Sequence, residues 1–183
     1  TAENVSRKYG ISRLDQDQYA YGSYVKTYKA LKNKYFKNEL CQSPLKDEVR
    51  QDTTSSKLTQ LKPVFKKNGT VTAGNASSLN DGAAFLAIAS HDYVKANKIK
   101  PLAKILSWSS SAGNPDYMGI TPITAIQKLM KKMSVNISYF DLIEINEAFA
   151  ATSVAVQQTL KIDPNKLNVA GGAIALGHPI GCS

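Results

Sequence analysis

Cysteine is scarce in this chain: there are two in 183 residues, Cys41 and Cys182. They stand far apart, without a CxxC spacing and with only two histidines in the whole chain, so neither a disulfide framework nor a zinc site can be read. A reducing, intracellular setting fits that usage best. Long apolar runs are lacking as well. The longest, Ala83 to Ala89, has seven residues, far short of the ~20 that cross a bilayer, and the N-terminus carries no signal-peptide pattern. Secretion and membrane insertion are disfavoured. Residue 1 is Thr and not Met, which brings processing or truncation into consideration.

Acidic residues are the other deficit, at 14 Asp+Glu against 23 Lys+Arg, for a net charge of +9. The excess is uneven. Residues 1–68 hold 14 Lys/Arg and 7 Asp/Glu, whereas residues 69–183 hold 9 and 7. Three readings of the basic third stand open: a nucleic-acid surface, a module that meets a phosphorylated small molecule, or a solvated lysine-rich face. At ~150 residues per domain, the length predicts one domain, or a large one plus a small one, with a real core.

Ser12 and Asp15 form a capping-box-like start, after which Tyr21, Tyr24, Val25, Tyr28, Leu31 and Tyr35 recur at three- and four-residue steps. This predicts a helix over about 12–35 with the tyrosine stripe packed and the lysines wet. Residues 40–62 are polar and aperiodic and read as a loop. The run 83–89 reads as a buried strand, and Ser90 caps a short helix through about Asn97. A strand is expected within 101–113, and Thr121 with Pro122 opens a helix carrying Ile123, Ile126, Leu129, Met130 and Met133. Residues 141–145 read as a strand, 148–160 as a helix, and 167–176 as a strand running into a glycine-rich turn. Strand and helix therefore alternate, which predicts a layered α/β domain with helices on both faces of a sheet and sites at strand ends.

Two turns carry chemistry. His178 stands between Gly177 and Pro179, on a stiff turn that leaves it either a functional imidazole or a hydrogen-bonded turn histidine. His91, in the first turn of a polar surface helix, reads as bland. Asn146, within Glu144–Asn146–Glu147, either caps the following helix or holds a water or carbonyl oxygen in a site. A third loop, residues 75–83, offers small residues that let a ligand chain slide past. It has no GxGxxG or P-loop pattern.

Five separated stretches then carry a resemblance: TAENV at 1–5, GTVTAGNAS at 69–77, NDGAA at 80–84, NEAFA at 146–150 and GGAIALGHPIG at 171–181. In this order they resemble the thiolase family. The resemblance implies a thiolase-like layered α/β half, incomplete, with helices on both faces of a mixed sheet, plus part of an inserted loop domain. Residues 1–68 would be the rear of the loop domain, which contacts coenzyme A, and residues 69–183 the C-terminal half, truncated before its last strands. The missing strands would leave an open sheet edge and exposed apolar surface, so the chain is expected to be a portion of a longer polypeptide or to fold with a complementary piece.

The implied activity is acyl exchange between coenzyme A and a second acyl-CoA. Condensation of two acetyl-CoA to acetoacetyl-CoA is the leading expectation, with a degradative 3-oxoacyl-CoA thiolase or a non-catalytic CoA-binding fragment as alternatives. His178 matches the family base that takes the proton of a nucleophilic cysteine. Asn146 matches the residue that fixes a water which, with that histidine, stabilises the thioester enolate oxygen. Neither catalytic cysteine is within the chain: one is expected before Thr1 and the other after Ser183, and Cys41 and Cys182 read as inert. Ala73 and Ser77 match pantetheine contacts, Phe65, Ala148 and Phe149 match apolar residues of the same tunnel, and Arg50 aligns with a basic residue near the adenine nucleotide. The phosphates of coenzyme A then account for the basic third. Also implied are a cytoplasmic homotetramer with neither metal nor cofactor beyond its thioester substrates, and no nucleic-acid or membrane partner.

Overall fold

A computed structural model describes residues 1–39 and 49–182. Cys41 and most of the short stretch Leu40 to Arg50 therefore lie outside the described residues. The ordered elements are helical: α1 (Ala2–Tyr9), α2 (Arg13–Lys32), α3 (Ser55–Thr59), α4 (His91–Ala96), α5 (Thr121–Met133), α6 (Ala150–Leu160) and α7 (Ala173–Leu176), with 3₁₀ turns at Pro115–Ile120 and Ile137–Tyr139.

Local chemistry explains most helix ends. The capping box that opens α2 is formed, the Ser12 side chain accepting from the Asp15 N–H and the Asp15 carboxylate accepting from the Ser12 N–H. Ser90 caps α4 in the same way through Tyr93 N–H. Gly10 closes α1 in the left-handed region at φ 65°, which glycine reaches without a Cβ penalty. Thr121 falls one position inside α5 rather than at its cap, with its hydroxyl donating to the Met118 carbonyl. Within the stretch read as a loop, Thr54 caps the one-turn helix α3.

α6 is the axis of the packing. It is buried nearly all round, from Ala150 to Val156 and again at Leu160, and it meets α1, α2 and α5. Val5, Ile11, Val154 and Ala155 pack on one side of it; Ile123, Val156, Leu160, Ile162 and Leu167 pack on another.

The stripe expected on α2 coincides with the buried face only at Tyr24 and Leu31, which pack into the core. Gln16, Asp17, Ala20, Ser23, Tyr24, Thr27 and Ala30 face inward, while Tyr21, Val25, Tyr28 and Tyr35 are exposed. The inward face is small and polar because backbone lies directly against it. Gly171, at φ +81°, sits so close that a Cβ there would meet the Thr27 side chain and backbone and the Ser23 carbonyl.

The expected strands differ most. Among the described residues β pairing is limited to isolated bridges, Pro63 with Thr72, Ala76 with Phe149, and Ile143 with Leu167. The run 83–89 is non-helical and open to water, with Phe85 98% exposed, as are Leu102, Ile105 and Leu106 of the 101–113 segment. Residues 173–176, read as the end of a strand, form α7. A strand becomes a ladder only against a partner, and these apolar segments have none among the described residues.

Candidate functional site

The turn 145–149 and the turn that ends in His178 are brought together by α2, α6 and α7. α6 begins after Phe149, so Asn146 lies before the helix and does not cap it. Its Nδ2 instead stands 3.3 Å from His178 Nε2. Asn146 is exposed and His178 partly so, which leaves the pair open to a bound molecule. His178 is also tied back by its own N–H, which donates to the Ser78 carbonyl at 3.0 Å.

The small-residue loop forms the next wall. Ala76 bridges antiparallel to Phe149, the Ser77 N–H and hydroxyl both donate to the Ala148 carbonyl at 3.0 and 3.2 Å, and the Ala150 N–H donates to the Asn75 carbonyl at 2.8 Å. Phe65 meets Phe149 edge-on, with ring centroids 6.1 Å apart. Asn146, His178, Ser77, Ala148, Phe149 and Phe65 therefore belong to one contiguous neighbourhood.

Ala73 is exposed on the same loop. Arg50 is placed elsewhere, in the wall of an open cleft of about 500 Å³ shared with Tyr24, Lys57, Leu61 and Gly74. Gly74 adjoins Ala73, so the cleft and the loop are continuous. Cys182 is a partly buried free thiol whose N–H donates to the Pro179 carbonyl. No group of three His, Cys, Asp or Glu side chains among the described residues is placed to hold a metal ion.

The loop is held from beneath by buried charge. Asp17 accepts from Arg13 Nε at 2.8 Å and from Asn75 Nδ2 at 2.9 Å, and Asn75 Oδ1 accepts from the Thr72 N–H. Arg13 also donates to the carbonyls of Leu58 and Leu61, joining the loop to α3.

Glu147 escaped the sequence reading as a residue of consequence. It is 1% exposed and accepts from Tyr19, Ser23, Asn168 and the backbone of Ile174. Burial and the neighbouring Glu147 charge push the Tyr19 phenol well above its ordinary range, so it stays protonated and donates. Burial, then the same charge, also raises the Glu144 carboxyl. The available signal was a glutamate directly after Asn146 and before an apolar helix, a position from which its side chain must turn inward.

The thiolase N-terminal domain family matches residues 1–92, and the thiolase C-terminal domain family matches residues 99–183. A probable acetyl-CoA acyltransferase of Staphylococcus aureus strain COL is 46% identical over the whole chain. The chain spans about half the length of that relative, 50% of it. The crystal structure of the Bacillus anthracis acetyl-CoA acetyltransferase superposes with a TM-score of 0.93 at 43% identity, covering 99% of this chain and 49% of that one. Human mitochondrial 3-ketoacyl-CoA thiolase, solved in complex with CoA, gives 0.92 at 43% identity, covering 100% of this chain and 48% of its own. With both family domains matched in order and this architecture shared, the chain belongs to the thiolase family.

Proposed function

We propose that the polypeptide carrying this chain is an acetyl-CoA acetyltransferase of the thiolase type, with Asn146 and His178 as catalytic residues. The observation that carries the reading is the 3.3 Å approach of Asn146 to His178 beside Ser77, Phe65 and Phe149. A cysteine thiol supplied by the rest of the polypeptide is mostly protonated at neutral pH and is a weak nucleophile until a base takes its proton. His178 takes that proton as the sulfur adds to the acetyl-CoA carbonyl. The CoA thiolate leaves and is protonated, and the acetyl group stays on the cysteine. A second acetyl-CoA then loses a proton from its methyl carbon to the thiolate of a second cysteine of the polypeptide, which returns it to the first cysteine's thiolate when that leaves at the end of the cycle. The resulting enolate oxygen is met by His178 and by a water held on Asn146. The enolate carbon attacks the acyl-cysteine, the cysteine thiolate leaves, and acetoacetyl-CoA forms.

Residues 1–68 meet the phosphate end of coenzyme A through their basic surface and Arg50, while Ala73, Ser77, Phe65, Ala148 and Phe149 flank pantetheine. The reaction needs no cofactor besides its thioesters. The apolar side chains of residues 79–108 are covered by the remaining thiolase segments of the same polypeptide, which assembles as a cytoplasmic homotetramer.

A degradative 3-oxoacyl-CoA thiolase is the second reading, favoured by the equally close likeness to the human 3-ketoacyl-CoA thiolase. Assays of the full-length polypeptide separate the two. Condensation of acetyl-CoA with no thiolysis of long 3-oxoacyl thioesters supports the first reading, and rapid thiolysis of long thioesters overturns it. In either direction His178→Ala is expected to lower turnover by about 10²-fold or more, since base and oxyanion donor are lost together.

A further inference from the structure

The side chains of Asn146 and His178 sit on two turns that the segment 76–78 joins from one side, through Ser77 to Ala148 and through Ser78 to His178, and their nitrogens stand 3.3 Å apart. Something must set that distance. From the other side, the buried carboxylate of Glu147, carried by the turn of Asn146, is bonded to α7, the helix that leads into the turn of His178. Its Oε1 accepts from the Tyr19 hydroxyl at 3.1 Å and from Asn168 Nδ2 at 3.0 Å; its Oε2 accepts from the Ser23 hydroxyl at 2.6 Å and from the Ile174 N–H at 3.2 Å. Four donors fill the acceptor sites of one carboxylate.

The origin of those donors matters more than their number. Tyr19 and Ser23 belong to α2, which is long and packed against α6. Asn168 holds the segment before Asn146 on both sides, accepting from the Ile145 N–H and donating to the Ile145 carbonyl, each at 2.8 Å. Ile174 lies in α7, whose last residue precedes Gly177 and His178. One side chain thus ties the turn of Asn146 and the helix that presents His178 to the same fixed wall. The Ser23 hydroxyl completes the tie by accepting from the Gly172 N–H at 3.2 Å. Gly172 is itself shaped around the group, because a Cβ there would stand 2.6 Å from the Glu147 carboxyl carbon.

We infer that Glu147 is a positioning residue of the Asn146–His178 pair, acting through the backbone on either side and touching no substrate. The inference rests on the thiolase reading for its kinetic test but not for its structural one. A misplacement of about 1 Å in a reacting pair costs on the order of 10²-fold in rate. Glu147→Gln keeps the size of the side chain and replaces one acceptor by a donor that faces donors already in place, so it disturbs the tie without opening a cavity.

In the full-length polypeptide, Glu147→Gln is expected to lower kcat by about 10-fold to 100-fold while KM for the acyl-CoA stays within about threefold, because the walls at Phe65, Ser77 and Phe149 are unchanged. Combined with Asn146→Ala, its loss is expected to fall short of the product of the two single losses. An unchanged kcat, an effect confined to KM, or fully multiplicative losses would overturn the inference. If Glu147→Gln does not fold, Tyr19→Phe and Ser23→Ala remove one donor each and carry the same test with smaller losses. A crystal structure of the variant decides the matter independently of activity. Movement of the Asn146–His178 pair by about 1 Å with α2 and α6 in place supports the tie, and a pair kept at 3.3 Å contradicts it. A wild-type polypeptide without acyl-transfer activity would refute the thiolase reading and leave this structural test standing.

Discussion

Two regions of the chain spend their residues in opposite ways. Beneath the turns 145–149 and 168–178 lies a layer of buried, hydrogen-bonded polar side chains, with Glu147, Asn168, Asn75 and Asp17 each at 2% exposure or less. Along residues 79–108 large apolar side chains stand in water: Phe85, Leu86, Ile88, Leu102 and Trp108 are all highly exposed. The second region is held to α5 by lysine contacts at the surface, Lys132 lying over the Trp108 ring and donating to its carbonyl. A polar group is buried where its partners converge on it, and an apolar one stays exposed where no neighbouring layer reaches it.

The largest effect is expected from crowding the first region. Gly171→Val would drive a Cβ into Thr27 and into the Ser23 carbonyl from a φ of +81°. It is expected to cost about 3 kcal/mol or more in denaturant unfolding of the full-length protein; a loss under about 1 kcal/mol would mean the two segments are not in close contact. The second region responds according to what covers it. On the proposed reading the remaining thiolase segments pack over residues 79–108, so Phe85→Ser is expected to cost about 2 kcal/mol in the full-length protein. A cost under about 0.5 kcal/mol would contradict that cover.

A smaller effect is expected at the start of α2. Ser12→Ala removes the cap and should cost about 1 kcal/mol at neutral pH, read by thermal unfolding. Hydrogen bonds from the Ser12 side chain and then its backbone hold the Asp15 carboxyl below its ordinary 3.8. The stability it adds is therefore complete above that ordinary value and is lost as pH falls through the lowered one. The gap between wild type and Ser12→Ala should narrow on acidification. A gap that widened would contradict the capping geometry.

Local rules made the helix starts legible. Ser12 with Asp15, Ser90, and Pro122 mark α2, α4 and α5 by side-chain chemistry that acts within one turn. The two turns stand out in sequence as NEAFA at 146–150 and as Gly177–His178–Pro179, the second stiffened by its proline. The buried face of α2 was not legible. Gln16, Ser23 and Thr27 have no apolar period, and the burial of Ser23 and Thr27 depends on Glu147 and Gly171, more than a hundred positions away in sequence. The tyrosines misled for the same reason, because a stripe at helical spacing states that a face is apolar and not that a neighbour covers it. Residues 83–89 repeat the lesson for strands. α7 was misread because four residues, Ala173 to Leu176, are too few for period to separate helix from strand.

On the proposed reading, Asn146 and His178 form one catalytic pair in which the asparagine serves the enolate. Measuring the two half-reactions of the full-length Asn146→Ala variant separately tests it most directly. Transfer of acetyl from acetyl-CoA to the enzyme should keep most of its rate, while the carbon–carbon bond step should fall by about 10²-fold, the usual loss on removing an oxyanion donor. Equal losses in both half-reactions would contradict the account.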